Sequence, residues 1–74
     1  MSLTFIYDGR TGIYSGMNGN KIECNGWNEF KDFRREHNEE RIQVIYTNVA
    51  ADEMRELIDK KQSLDDEVSK AQVI

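Results

Sequence analysis

The sequence predicts a single small α+β domain in which a four-stranded, mainly antiparallel sheet carries two helices on one face. Three observations support this prediction: short stretches of alternating apolar and polar residues, Gly- and Asn-rich turns between them, and two amphipathic segments with helical spacing. The elements follow one another in the order βββαβα, and residues 1–74 are assigned to one domain.

Residues 1–24 are predicted to form a β-meander of three short strands. In the first strand Leu3, Phe5 and Tyr7 point to one face, because successive side chains of a strand alternate between faces. The second and third strands are expected over residues 13–15 and 21–24. Between them lies Asn18-Gly19, a strong signal for a hairpin turn.

Residues 27–38 are predicted to form the first helix, with Asn25 or Asn28 as its cap. Its apolar stripe consists of aromatic residues at a spacing of three: Trp27, Phe30 and Phe33.

The fourth strand is expected over residues 41–46, with three core-facing side chains at a spacing of two. One isoleucine of each long strand, Ile6 and Ile45, is left for the opposite face of the sheet, with Tyr14 beside them. Such an apolar patch is either ordinary exposed surface or a subunit contact.

Residues 48–72 are predicted to form one long C-terminal helix, capped by Thr47 or Asn48. About 25 helical residues span about 37 Å, more than the roughly 30 Å diameter of a compact domain of this size. The apolar residues follow a heptad pattern, interrupted by Lys61. They are Ala50, Met54, Leu57, Leu64, Val68 and Ala71.

Three arrangements of this helix are open at the level of sequence. The helix can project from the domain and pair with a second copy, in which case the polar Lys61 favours a specific dimer. It can break near Gln62, because Ser63 and Asp66 fit a capping box, and fold back onto the domain. The residues beyond Gln62 can also stay frayed until a partner orders them.

The composition argues against several classes of function. The net charge is −4, of which residues 1–48 contribute about −1 and residues 49–74 about −3. Proteins that bind nucleic acids or anionic membranes without specificity rely on Lys and Arg, so neither kind of binding is expected. The amino-terminal residues lack the pattern of a signal peptide, and the lone cysteine fits a reducing compartment, which favours the cytoplasm.

The sequence offers no set of residues that predicts catalysis, a metal site or a cofactor. Cys24 and His37 are the only conventional nucleophile and base, and a helix separates them. The basic residues Lys31, Arg34, Arg35 and Arg41 alternate with acidic ones, which is typical of a solvated helix face. The chain is therefore not expected to be an enzyme.

The remaining prediction is a small, acidic protein-interaction or regulatory module that acts by binding another protein. Its expected partners are a second copy of itself, bound through the C-terminal helix, and an unidentified protein. The alternative is an inhibitor whose acidic helix mimics nucleic acid and blocks a nucleic-acid-binding protein. The residues predicted to bind the partner are Met54, Leu57, Lys61, Leu64 and Val68.

Overall fold

A computed structural model describes residues 2–72 and has the predicted element order. The strands are β1 (Ser2–Asp8), β2 (Ile13–Gly16), β3 (Glu23–Cys24) and β4 (Arg41–Thr47), and the helices are α1 (Trp27–Glu36) and α2 (Ala51–Gln72). The predicted α+β fold with a long last helix is thereby confirmed. The third strand is shorter than expected, and the last helix begins three residues later.

The four strands form one mixed sheet in the order β3-β2-β1-β4. β2 pairs antiparallel with both β1 and β3, whereas β1 pairs parallel with β4. The parallel pairing is the longest and runs without interruption from Ser2↔Arg41 to Asp8↔Thr47. It arises because the chain passes through α1 before it returns to the sheet, so β4 enters from the same end as β1.

The core lies between one face of the sheet and the two helices. The register sets Phe5 beside Val44 and Tyr7 beside Tyr46, so the predicted apolar faces of β1 and β4 lie on the same side. Nine buried side chains form one cluster that draws on both helices and all four strands: Phe5, Tyr7, Tyr14, Cys24, Phe30, Ile42, Leu57, Leu64 and Val68.

Aromatic rings form the centre of this core. Phe30 of α1 stacks on Tyr14 with ring centroids 4.3 Å apart and meets the edge of Phe5 at 5.7 Å. The prediction that Tyr14 lies on the opposite face beside Ile6 and Ile45 was wrong. The β1–β2 register pairs Tyr14 with Tyr7, and only 1% of Tyr14 is exposed.

The turn between β2 and β3 has the geometry that its sequence predicts. Asn18 and Gly19 both adopt positive φ angles, 56° and 87°, and the Asn20 N–H donates to the Met17 carbonyl at 3.1 Å. Two consecutive central residues with positive φ define a type I′ turn, which Asn-Gly favours.

The helix caps differ from those predicted. Gly26 precedes α1 without a side-chain cap, and the Glu29 carboxylate instead accepts a hydrogen bond from the Asn25 N–H. The Thr47 hydroxyl donates to the Tyr7 carbonyl, and the Asn48 amide donates to Asp8. Both side chains therefore secure the β1–β4 junction and do not cap α2.

Helix α2 is continuous from Ala51 to Gln72, which excludes the predicted break at Gln62 and Ser63 and the predicted fraying beyond them. Its 22 residues span about 33 Å. The burial of Leu57, Leu64 and Val68 shows that the helix lies along the body of the domain, whose longest dimension, helix included, is 39 Å. The expectation of a projecting helix was wrong because the later turns of α2 pack against α1 and the sheet.

Phe30→Ala tests the aromatic core. The loss of a fully buried ring is expected to lower the free energy of unfolding by about 3–5 kcal/mol. Glu36→Ala, an exposed position on the same helix, should stay within about 0.5 kcal/mol of the parent. Urea unfolding followed by circular dichroism measures both values, and equal stability of the two variants would contradict this packing.

Candidate functional site

The apolar stripe of α2 faces its own domain. Of the five residues predicted to bind a partner, Leu57, Leu64 and Val68 belong to the core and are 8%, 4% and 3% exposed. Met54 and Lys61 are half-buried. A helix beside a sheet must bury one stripe, and the heptad spacing marks this stripe. Whether α2 binds a partner stays a prediction. If it does so without unfolding, the contact must use side chains of α2 other than the buried Leu57, Leu64 and Val68.

Ile58 is the large apolar side chain that α2 leaves outside. Its side chain is 45% exposed. It follows Leu57 by one position, and neighbouring residues of a helix point about 100° apart. The burial of Leu57 therefore turns Ile58 toward the margin of the domain.

A cluster of three charges fixes α2 against α1. The Arg34 Nε donates to Asp65 Oδ1 at 3.0 Å, and the Lys61 ammonium donates to Asp65 Oδ2 at 2.7 Å. Arg34 also donates through Nη1 to the His37 carbonyl at the end of α1. Arg34 is buried, so Asp65 supplies the opposite charge that a buried guanidinium requires.

Arg34 was expected to lie on a solvated face, and that expectation was wrong. Its position four residues after Phe30 places it on the buried stripe of α1, a spacing that the sequence displays. The next residue, Arg35, does lie outside and forms a bidentate ion pair with Glu67 at 2.8 and 3.1 Å. This hydrogen bonding lowers the pKa of Glu67 below its ordinary value.

The margin of the domain beside β4 forms an open groove of about 380 Å³. The half-buried side chains of Val44 and Tyr46 form its floor and Ile58 one wall; the remaining lining is polar, from Gln43, Lys61, Gln62 and Asp65. Burial raises the pKa of the Tyr46 hydroxyl, and the nearby Asp65 charge raises it further. The phenol is therefore neutral at physiological pH and can donate a hydrogen bond to a partner.

The other side of the same strand is also apolar. Ile45 is 48% exposed on the face of the sheet that carries no helix, and its neighbour in the β1–β4 register is Ile6. This confirms that Ile6 and Ile45 share the predicted back face. Ile45 and Ile58 are the exposed large hydrophobic residues of the described chain. Ile45 belongs to β4 and lies on the helix-free face of the sheet, whereas Ile58 lines the groove on the helix side. We call this surface, formed by β4, Ile58 and the groove between them, the β4 margin.

Cys24 and His37 do not form a catalytic pair in the structure. Cys24 is buried in the core beside β2, and burial raises the pKa of its thiol. His37 lies at the other end of α1, where its ring stacks on Phe33 at 4.1 Å. Within residues 2–72, no group of three or more His, Cys, Asp and Glu side chains is arranged to hold a metal ion.

Two of the seven acidic residues of α2 are neutralised by ion pairs. Asp65 and Glu67 are paired with basic side chains, whereas the other acidic side chains of the helix lie exposed. Those exposed residues are Asp52, Glu53, Glu56, Asp59 and Asp66. Mimicry of nucleic acid stays a prediction. The ion pairs of Asp65 and Glu67 reduce the number of unpaired carboxylates on which it would depend.

Comparison of the chain with protein-family models, with curated proteins and with solved structures gives no match. Among the helices described here, none has the length and apolar character that crossing a membrane requires.

Asp65→Asn tests the charge cluster. It leaves the buried Arg34 without its counter-charge and is expected to lower the free energy of unfolding by about 2 kcal/mol. The matched control is Asp66→Asn, which changes the adjacent exposed carboxylate and should shift stability by less than about 0.5 kcal/mol. Chemical unfolding compares the two variants, and an equal effect of both would contradict a specific role for Asp65.

The reactivity of Cys24 tests whether its thiol is available for chemistry. Because burial both shields the sulfur and raises its pKa, a thiol-specific reagent at pH 8 should react much more slowly with the native protein than with the urea-unfolded chain. Reaction of the native protein faster than a free thiol would contradict this expectation and would support an enzyme.

Proposed function

We propose that this chain is a small protein-interaction module that acts as a homodimer and uses the β4 margin as its contact surface. The observation that carries the proposal is the placement of Ile45 and Ile58, the two exposed large apolar side chains, on both sides of one strand at the edge of the sheet. Ile58 lines the groove and Ile45 extends the apolar surface to the other face of the same strand; exposed apolar surface of this kind is typical of protein–protein contacts. The outward face of α2 takes part through Ile58.

The small size of the core supports self-association. Nine buried side chains of the described residues form it, and a second copy is one of the standard ways to enlarge a small core. We place the protein in the cytoplasm, where the single free Cys24 is compatible with a reducing environment.

The energetics show what the contact must contain. Complete burial of an isoleucine contributes about 1.5–3 kcal/mol, so a half-exposed one contributes roughly 1 kcal/mol more when it is covered. A symmetric dimer covers four such side chains, which amounts to about 4 kcal/mol, whereas micromolar affinity corresponds to about 8 kcal/mol. The two isoleucines therefore need further contacts from the same margin.

Sedimentation equilibrium tests the proposal. At micromolar to submillimolar concentration the mass should approach twice the 8.7 kDa of one chain. Ile58→Asp should shift the protein to monomer, because it places a charge in the apolar contact. Leu64→Asp is unsuitable for this purpose because Leu64 belongs to the core.

Ala51→Asp is the matched control, since it adds the same charge to the exposed first turn of the same helix and should leave the dimer unchanged. Circular dichroism checks that both variants keep their fold. A parent protein that stays monomeric at every concentration would overturn the proposed homodimer.

A further inference from the structure

The outer edge of β4 carries backbone groups that have no strand to pair with in the described chain. β4 is the last strand in the sheet order, with β1 on its inner side. The Thr47 carbonyl accepts a hydrogen bond from the Gly9 N–H at 2.8 Å, so the backbone groups of Thr47 point inward. Because these groups alternate in direction along a strand, the N–H and C=O groups of Ile42, Val44 and Tyr46 point outward.

The middle of this strand lacks several features that keep edge strands apart. Natural sheets protect their edges with lysine, proline, bulges or very short strands. β4 has seven residues, its interior from Ile42 to Tyr46 is uncharged, and the chain contains no proline. Its register with β1 is uninterrupted over all seven pairs, so no bulge turns the edge away.

We infer that β4 pairs antiparallel with β4 of a second copy, with the two-fold axis passing beside Val44. This inference rests on the proposed homodimer and names how the two copies join. Val44 is the central residue of Arg41–Thr47, so full overlap sets Val44 opposite itself and Ile42 opposite Tyr46 of the second copy. Each outward residue then exchanges two hydrogen bonds with its opposite residue, and the two sheets become one continuous sheet.

The charges at the ends of β4 match in this arrangement. Arg41 begins the strand, and no residue in the described chain forms an ion pair with it. At the other end, Asp8 is the register partner of Thr47 and lies on the same face as Arg41. Its Oδ1 atom contacts Arg10 and Asn48 of its own chain, so Arg41 would approach the second carboxylate oxygen. Full antiparallel overlap brings Arg41 opposite Thr47 of the second copy, so Asp8 of that copy lies two strands away, about 10 Å between Cα atoms. An extended arginine spans that gap, and symmetry creates the contact twice.

The helices also fit. Neighbouring helices pack about 10 Å apart, roughly the width of two strands, and two helices cover four strands in each copy. Extension of the sheet across β4 therefore places α2 next to α2 of the second copy. The grooves that contain Val44, Tyr46 and Ile58 then face one another across the axis, so Ile58 is covered. On the other face of the sheet, Ile45 gains Gln43 of the second copy as its neighbour across the new strand pair.

Amide hydrogen exchange measured by NMR tests the inference residue by residue. In the monomer the outward amides of Ile42, Val44 and Tyr46 have no hydrogen-bond acceptor on a neighbouring strand, whereas those of Gln43 and Ile45 donate to β1. At concentrations where sedimentation shows a dimer, exchange at residues 42, 44 and 46 should be slower than in the Ile58→Asp monomer by about tenfold or more.

Disulfide trapping provides a second readout. Residues directly opposite in a hydrogen-bonded antiparallel pair have Cα atoms about 5.5 Å apart, within the range of a disulfide. In a Cys24→Ala background, Val44→Cys should form a covalent dimer under mild oxidation. Ser15→Cys, an exposed position on β2, should not.

The outcomes separate the two proposals. A dimer with protected amides at residues 42, 44 and 46 and with cross-linking at position 44 supports the pairing. A dimer in which these amides exchange as fast as in the monomer and position 44 does not cross-link overturns β4 pairing but leaves the homodimer in place. A protein that is monomeric at every concentration overturns both.

Discussion

The parallel pairing of β1 with β4 is the contact on which the rest of the structure depends. It joins the two longest strands and brings the second half of the chain back to the first. The strands approach so closely at their ends that a Cβ atom at Gly9 would collide with the backbone carbonyl of Asn48. Glycine therefore allows the hydrogen bond from Gly9 to Thr47. This register determines which side chains of β4 face the helices and where α2 begins.

The position of α2 follows from two further interactions of different kinds. Leu57, Leu64 and Val68 stabilise the contact by burying apolar surface. Apolar burial is not directional, so it would tolerate a small shift of α2 along its own axis. The Arg34–Asp65 contact is directional, since a buried guanidinium needs a carboxylate at hydrogen-bond distance. The ion pair therefore selects one position of α2 relative to α1 among those that apolar packing would accept.

Sequence reasoning succeeded where a local rule determines the outcome. Side-chain alternation identified Leu3, Phe5 and Tyr7 as a core face, and Asn18-Gly19 identified the hairpin turn. Periodicity reports which residues share a face, but it does not report what covers that face. For this reason the α2 stripe was found correctly, but the sequence did not show that Leu57, Leu64 and Val68 pack in the chain's own core. Partner binding by α2 stays a prediction.

The same limit explains why the positions of Tyr14 and Arg34 were predicted wrongly. Tyr14 lies in a short strand whose orientation depends on its register with β1. The adjacent Ile13 is also apolar, so the alternation within this strand does not show which of the two side chains faces the core. Arg34 was grouped with the solvated residues because of its charge, although its spacing from Phe30 places it on the buried stripe. Its counter-charge, Asp65, lies 31 residues away and is brought close only by the completed fold.

The open edge of β4 is likewise a consequence of strand order, which the sequences of four short strands do not reveal. The site proposed here therefore depends on long-range topology: the parallel return of β4 both closes the core on one side and leaves Ile42, Val44 and Tyr46 with outward backbone groups on the other.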